Sequence, residues 1–286
     1  MELSADEIQC AVRAELAEDI GPGDVTTLAT VPESATMCAE LVAREPLVLA
    51  GLAFATAAFR ELDRELVIAP HASDGDACDR GQTLLRVNGS ARAILTAERV
   101  ALNFVQRLSG VATLTAQFVA QVSGTPAKIL DTRKTTPGWR RFEKYAVQCG
   151  GGTNHRVGLF DLVLIKDNHL AALRHEQPNA IAAAVQRARA AFPELKVEVE
   201  ADTLEQVRQA VEAQADIILL DNMSLENLRA AVALIGGRAQ TEASGGVNLQ
   251  TVRAIAETGV DFISVGAITH SARAVDVALD FDTDVA

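Results

Sequence analysis

Seven basic residues crowd into one stretch, DTRKTTPGWRRFEKYAVQCGGGTNHRVGLFDLVLIKDNH: Arg133, Lys134, Arg140, Arg141, Lys144, Arg156 and Lys166. Four acids share it, so it carries about +3 within a chain of net charge −12. A cationic island in an acidic chain points to an anionic ligand that is met locally. Planar guanidinium groups match carboxylates bidentately, and Arg133, Lys134, His155, Arg156 and Lys166 offer more positive charge than one phosphate needs. A small ligand with two carboxylates would account for the surplus. Farther along, Glu200 and Asp221 each end a β-like run. Carboxylates so placed can hold Mg²⁺, which usually accompanies a diphosphate, or accept hydrogen bonds from ribose hydroxyls; the alternative is that they only pair with Lys134 and Lys166. Ser244-Gly245-Gly246 and Gly266-Ala267 end two more runs, where glycine lets backbone N–H groups approach phosphate oxygens, although glycine after a strand is also ordinary turn chemistry. His270 either adds a donor there or is a surface histidine. GGGTNHR lacks the last glycine of a dinucleotide loop, since His155 stands in its place, and HEQPN at His175 lacks the second histidine of HExxH.

The elements that must carry these residues show two rhythms. After Gly124, the runs AKILDTR, DLVLIKD, LKVEVEA, DIILLDN, AQTEASGG and DFISVGA alternate with helical patterns such as AIAAAVQRARAAF and SLENLRAAVALIGG. That is a parallel sheet with helices outside it, either a barrel or a doubly wound sheet. Each run ends, at its carboxyl side, in a reactive or glycine-rich position. An open sheet would do this only at its switch point, whereas a barrel brings every strand end to one mouth, so the pattern predicts a barrel. Met37–Arg92 instead alternates short apolar runs with turn signals, and Asp74-Gly75 and Asn88-Gly89 predict tight turns between strands of a small α+β domain. PLVLAGLAFATAAF predicts mostly helix. Ser4 with Glu7 forms a capping-box pair that starts a helix over residues 4–18, and EDIGPGDVTT predicts a loop. Leu95–Val122 reads as one helix whose apolar stripe is Val100, Phe104, Leu108, Val111, Thr115, Phe118 and Val122. Arg99, Asn103, Gln106 and Arg107 fall on its polar, solvated side.

Composition narrows the function classes. At 286 residues the chain suits two domains, or a barrel with an appendage. Its acidic balance argues against nucleic acid as a partner. The uncharged run from Arg107 to Lys128 is interrupted by Ser109, Thr113, Gln117 and Gln121, which suits an amphipathic helix rather than a membrane span. MELSADEIQC carries Glu2, Asp6 and Glu7 where a signal peptide would carry basic residues, so a cytoplasmic protein is expected. Cys10, Cys38, Cys78 and Cys149 show no CxxC spacing and read as buried free thiols.

DTRKTTPGWR, EKYAVQCGGGTNHRVGLFDLVLIKDNH, IILLDNMS and EASGGV, in that order, resemble the quinolinate phosphoribosyltransferase (decarboxylating) family, also called nicotinate-nucleotide pyrophosphorylase. EDIGPGDVTT and ISVGAITHSA extend the resemblance to both ends. It implies an amino-terminal α+β domain over residues 1–112, which segment 273–286 can join, and an incomplete seven-stranded α/β barrel of the type II phosphoribosyltransferase kind over 113–272. The implied reaction joins phosphoribose from 5-phosphoribosyl 1-pyrophosphate to quinolinate, with decarboxylation to nicotinate mononucleotide. By motif, quinolinate contacts fall on Arg133, His155, Arg156 and Lys166, with Lys134 at the reaction centre. Contacts to phosphoribosyl pyrophosphate fall on Lys134, Glu200, Asp221, Ser244, Gly245, Gly266 and His270, and Mg²⁺ on Glu200 and Asp221, directly or through water. The resemblance also implies a homodimer in which Arg99 completes the partner's site, with larger assemblies left open. Two rival readings are a Schiff-base aldolase using Lys166 after the apolar run LVLI and a noncatalytic anion-binding relative.

Overall fold

Ser4 Oγ accepts the Glu7 N–H at 3.2 Å while Glu7 Oε2 accepts the Ser4 N–H at 2.9 Å, and this reciprocal cap starts α1 (Ala5–Ile20) as the spacing predicts. EDIGPGDVTT is a turn only in its first half. Gly21 ends α1, and Asp24 then accepts the Thr27 N–H at 3.0 Å, starting α2 (Val25–Thr30) where a loop is expected. The structure, a computed structural model, describes Met1–Phe281, and the chain divides into two units. The first comprises Met1–Ala116, Arg141–Gly151 and the residues from Ser271 onward; the second comprises Gln117–Arg140 and Gly152–His270.

In the first unit the chain adds β1 (Thr36–Ala43), β2 (Leu47–Val48), α3 (Leu52–Leu62), β3 (Val67–Pro70), β4 (Ala77–Cys78), β5 (Thr83–Ser90), most of the long α4 (Ala91–Gln121), whose last residues from Gln117 belong to the second unit, α5 (Arg140–Cys149) from Arg141 onward, and β12 (Val277–Phe281). Its main sheet is antiparallel in the order β12-β1-β5-β3. Asp74-Gly75 turns the chain between β3 and β4, and the Asp74 carboxylate also accepts the Gly51 and Leu52 N–H groups at 2.9 and 3.0 Å, which begins α3. Asn88-Gly89 is no turn. Both residues lie within β5, opposite Cys38 and Met37. Gly89 is needed there because its φ is +144° and a Cβ would approach Leu66 Cδ2 to 2.7 Å. The apolar stripe of α4 is buried throughout, and Phe104 stacks on Phe54 at 4.7 Å between centroids. Of its polar stripe only Arg99 and Asn103 are exposed. Gln106 donates to Val277 O at 2.7 Å, and Arg107 donates to the buried Glu143 carboxylate at 2.6 Å. Among the cysteines only Cys78 is buried.

The second unit holds β6 (Lys128–Leu130), β7 (Val163–Ile165), α6 (Asp167–Ala172), α7 (Ala180–Ala191), β8 (Val197–Ala201), α8 (Leu204–Glu212), β9 (Ile217–Asp221), α9 (Leu225–Ile235), β10 (Gln240–Ser244), α10 (Val252–Ala256), β11 (Phe262–Ser264) and α11 (Ala267–His270). All six strands are parallel, in the order β6-β11-β10-β9-β8-β7. Asn179, Thr203 and Ser224 cap α7, α8 and α9 with side-chain oxygens, so the helices start where the strands' return segments require. Of the seven strands expected, these six form the ladder. At the free edge of β6 the chain adds one isolated parallel bridge, Leu130–Thr153, and no described pairing joins β6 to β7. The barrel is therefore incomplete. No described helix is long and apolar enough to cross a membrane.

Alternation along the strands decides what faces inward. Glu198 and Glu200 share one face of β8, Leu219 and Asp221 one face of β9, and Glu242 and Ser244 one face of β10.

The packing at Gly89 gives a stability test. Gly89→Ala should lower the free energy of unfolding by about 1–3 kcal/mol, the usual range for overpacking, read from the urea midpoint; an unchanged midpoint would contradict the close approach of Leu66.

Candidate active site

A cavity of about 700 Å³ opens at the carboxyl ends of the parallel strands, and only residues of the second unit line it. Arg133, Lys134, His155, Arg156, Lys166, Glu200, Asp221, Ser244, Gly245, Gly266 and His270 all stand in its wall. Eleven predicted site residues from eight separate chain segments thus meet in one place. Arg99, exposed on α4 of the first unit, is not among the lining residues.

The basic wall comes from the segments after β6 and β7. Asp131, wholly buried, accepts the His155 N–H at 2.8 Å through Oδ1 and the Asn154 side-chain amide at 2.7 Å through Oδ2. This fastens the loop that carries His155 and Arg156 to the end of β6. Arg156 Nη1 donates to Leu162 O at 3.2 Å. Burial and the neighbouring Arg133 lower the Arg156 pKa, against the pull of Glu198 and Asp161, so the two guanidiniums sit in mutual repulsion. Arg133 Nε is buried without a hydrogen-bond acceptor among the described residues. A buried donor without a partner costs about 1–3 kcal/mol, a cost an incoming anion can remove.

The other wall is built for a different ligand portion. Asp221 ends β9, and burial together with the Glu200 charge raises its pKa. Glu200, on the neighbouring strand, is paired with Lys166. Gly245 and Gly246 have φ of +97° and +61°, left-handed values that favour glycine, so neither adds a side chain of its own to the mouth. At Gly266 a Cβ would meet His270 Nε2 at 3.1 Å and Lys134 Cδ at 3.2 Å, so glycine is what lets Lys134 lie against this loop. Thr269 Oγ1 donates to Lys134 O at 2.7 Å and ties α11 to the same segment.

The cavity floor holds residues that the sequence reading passed over. Glu198 and Glu242 are 0 % and 1 % exposed. His155 Nε2 stands 3.1 Å from Glu198 Oε2 and 3.4 Å from Glu242 Oε2, and Ser264 Oγ donates to Glu242 Oε1. Neither Glu198 oxygen accepts a well-directed hydrogen bond among the described residues, so its contact with His155 is one of proximity. The ligand atoms of the three side chains lie within 4.8 Å of one another, a spacing a divalent ion could use. The tautomer opposes that use. Arg156 N–H donates to His155 Nδ1 at 2.7 Å; an acceptor Nδ1 places the proton on Nε2, and a protonated nitrogen cannot ligate a metal. Burial lowers the His155 pKa, but the nearby Glu198 and Glu242 carboxylates outweigh it and raise the pKa to about 10, which favours a second proton. That proton on Nδ1 would set two N–H donors against each other at 2.7 Å, so the amide contact decides for neutral imidazole. Burial, reinforced by Glu242 and opposed by His155, raises Glu198, and the carboxylate pair takes the proton instead. The signal for these residues was present in VEVE, where alternation puts Glu198 beside Glu200, and in TEAS, where it puts Glu242 beside Ser244.

Two family models match the chain: the quinolinate phosphoribosyl transferase N-terminal domain over residues 24–109 and its C-terminal domain over residues 111–280. A nicotinate-nucleotide pyrophosphorylase [carboxylating] of Mycobacterium leprae is 45 % identical over 282 residues, covering 96 % of this chain and 97 % of its own. A chloroplastic enzyme of that name from Arabidopsis thaliana is 44 % identical, covering 98 % of this chain and 84 % of its own. Among solved structures, the nicotinate-nucleotide pyrophosphorylase from Francisella tularensis superposes with a TM-score of 0.92 at 42 % identity, with 98 % of each chain covered.

The proton arrangement at the floor is open to direct measurement. In nitrogen-resolved NMR spectra at neutral pH, His155 should show a protonated Nε2 and a bare Nδ1, and micromolar Zn²⁺ should leave both signals in place. Two protonated nitrogens, or a zinc-induced shift of His155, would contradict it.

Proposed function

The chain belongs to the quinolinate phosphoribosyltransferase family, and on that premise we propose that it transfers phosphoribose from 5-phosphoribosyl 1-pyrophosphate to the ring nitrogen of quinolinate. The 2-carboxylate leaves as CO₂, and the products are nicotinate mononucleotide and pyrophosphate, a step of NAD biosynthesis. The observation that carries this reading is the division of one cavity into a guanidinium wall with an orphaned Arg133 Nε and a wall of carboxylates and glycine loops. The first suits a dicarboxylate, the second a phosphorylated sugar.

Arg133 and Arg156 receive the two carboxylates of quinolinate, and Lys166 supplies a further charge once the ligand competes with Glu200. His155, whose ring nitrogens face Glu198, Glu242 and the Arg156 amide, contributes by holding Arg156 in place. As pyrophosphate departs, positive charge grows on the ribose anomeric carbon, and the Glu200 and Asp221 carboxylates stabilise it. Backbone N–H groups at Ser244, Gly245 and Gly266, with Lys134 and His270, meet the phosphate oxygens. The ring nitrogen forms its bond to the anomeric carbon, and no covalent enzyme intermediate is required. Loss of CO₂ leaves an electron pair on the ring carbon beside the cationic nitrogen, and a proton must be delivered there. Lys134, with no carboxylate partner among the described residues, is the donor we assign, since Lys166 is engaged by Glu200.

Mg²⁺ is expected with the pyrophosphate, and the donor set suits it. Glu200 and Asp221 are oxygen ligands on adjacent strands; burial first and then the Glu200 charge raise the Asp221 pKa, and a divalent cation would relieve both. When bound, the ion supplies positive charge to the leaving group. We assign Arg99 to the site of a partner subunit in a homodimer. The four free cysteines suit a reducing compartment, the cytoplasm in this reading.

Incubation with quinolinate, phosphoribosyl pyrophosphate and Mg²⁺ should release CO₂ and form nicotinate mononucleotide. Nicotinic acid should be used at least about 10⁴-fold less well, because a site built to pair a polar group rejects the analogue lacking it by that order. Comparable turnover of nicotinic acid would sink the dicarboxylate assignment. For Arg99, the test mixes inactive Arg99→Ala subunits with inactive Lys134→Ala subunits. A mixed dimer then has one doubly defective site and one intact site, so random reassortment should restore about one quarter of wild-type activity. No restoration, with subunit exchange verified, would place Arg99 in its own subunit's site or in none.

A further inference from the structure

Asn222 follows Asp221 with φ +52°, one of two described non-glycine residues with positive φ. Such backbone costs free energy and persists where its surroundings impose it. Three contacts impose it here. The Asn222 N–H donates to Ser244 O at 2.9 Å, which carries the β9–β10 pairing one residue beyond the ladder. Its side-chain Nδ2 donates to Asp221 Oδ2 at 2.6 Å. Its Oδ1 occupies the place of a side chain at Gly245, where an added Cβ would come within 2.1 Å of Oδ1 and 2.6 Å of Cγ. Asn222 also lines the cavity.

We propose that Asn222 is a positioning residue that locks the Asp221 carboxylate and the Ser244–Gly246 phosphate loop into one rigid corner, so that ribose and phosphate are gripped in a fixed relation. This rests on the function proposed above. With Oδ2 held by the amide, only Oδ1 of Asp221 stays uncommitted among the described residues, and the carboxylate presents one fixed oxygen instead of rotating between two. Gly245 is glycine for two reasons at once: its φ of +97° and the Asn222 carboxamide filling its side-chain space. The corner therefore serves the phosphoribosyl ligand and leaves the dicarboxylate wall alone.

The test uses the full-length enzyme with Asn222→Gly, Gly245→Ala and the double variant. Glycine accepts the left-handed backbone, so Asn222→Gly should fold with an unchanged thermal midpoint. It should raise KM for phosphoribosyl pyrophosphate at least tenfold and leave KM for quinolinate within twofold. Gly245→Ala should do the same through its collision with Asn222. In the double variant the colliding Oδ1 and Cγ are gone, so the second substitution should add less than it does alone. Equal rises in both KM values, an unchanged KM for phosphoribosyl pyrophosphate in Asn222→Gly, or strictly multiplicative effects would each overturn the proposal. Should Asn222→Gly lose thermal stability, Asn222→Asp, which keeps size and backbone tolerance but sets two carboxylates together, must show the same KM split or the proposal fails. If wild type does not turn over the two substrates, the functional reading fails; if wild type does and the variants match it, only the positioning role fails.

Discussion

Two carboxylates inside the barrel, Glu198 and Glu242, govern how the rest of the site can carry its charge. Burying an ion is costly unless it is paired, and neither residue has solvent to fall back on. They are tolerable because the pair shares one proton, His155 Nε2 lies against both, and Arg156 supplies the opposing charge. The converse holds as well: Arg133 and Arg156 repel each other, and Glu198 is one of the two carboxylates that hold Arg156 charged. Cations that must wait for an anionic ligand are kept together by anions that never leave. The floor counterbalances the wall before any substrate arrives, which is why the cavity can be preorganised instead of assembled on binding.

The upper site follows a related principle with exchangeable partners. Lys166 and Glu200 neutralise each other across two strands, yet Lys166 keeps 43 % of its side chain exposed. Glu200 is 11 % exposed, so the pair is open on the lysine side only; solvent at the ammonium weakens the attraction, and Lys166 can turn to a dicarboxylate while the phosphosugar claims Glu200. Half-open pairs that exchange and buried groups that persist divide the cavity by depth.

Much of this could be read from the chain because parallel strands announce themselves by short β-branched runs, and their ends by a change to polar or glycine residues. All six strands of the ladder, α1 with its cap and the buried stripe of α4 were legible in that way. Asn88-Gly89 misled because the same dipeptide serves a hairpin turn and a strand in which a neighbour, Leu66, presses close; only tertiary context separates the two. Asp24 was lost inside a turn signal because a cap is a single residue. Glu198, Glu242 and Asp131 escaped for a different reason. Alternation in VEVE and TEAS sets Glu198 and Glu242 on the same face as Glu200 and Ser244, but the same two-residue spacing belongs to a solvent-facing glutamate, and only the sheet curving around them separates the two cases. Gln106 and Arg107 show the same limit, since their partners Val277 and Glu143 are distant in sequence.

Neither unit is a continuous stretch of chain. The chain leaves the first unit after Ala116, returns for Arg141–Gly151, leaves again, and comes back after His270. The first unit's sheet is completed by β12, whose Phe281 pairs with Ala39 of β1 across almost the whole sequence. Such pairing is entropically late to form. During synthesis, β1 is made early but must wait with one edge open until the whole second unit and then β12 have left the ribosome. An unpaired edge is a template for strands of other chains, so the interval before β12 emerges is when this protein most needs shielding, and a chain cut short before β12 would carry its barrel sequence and an unfinished sheet.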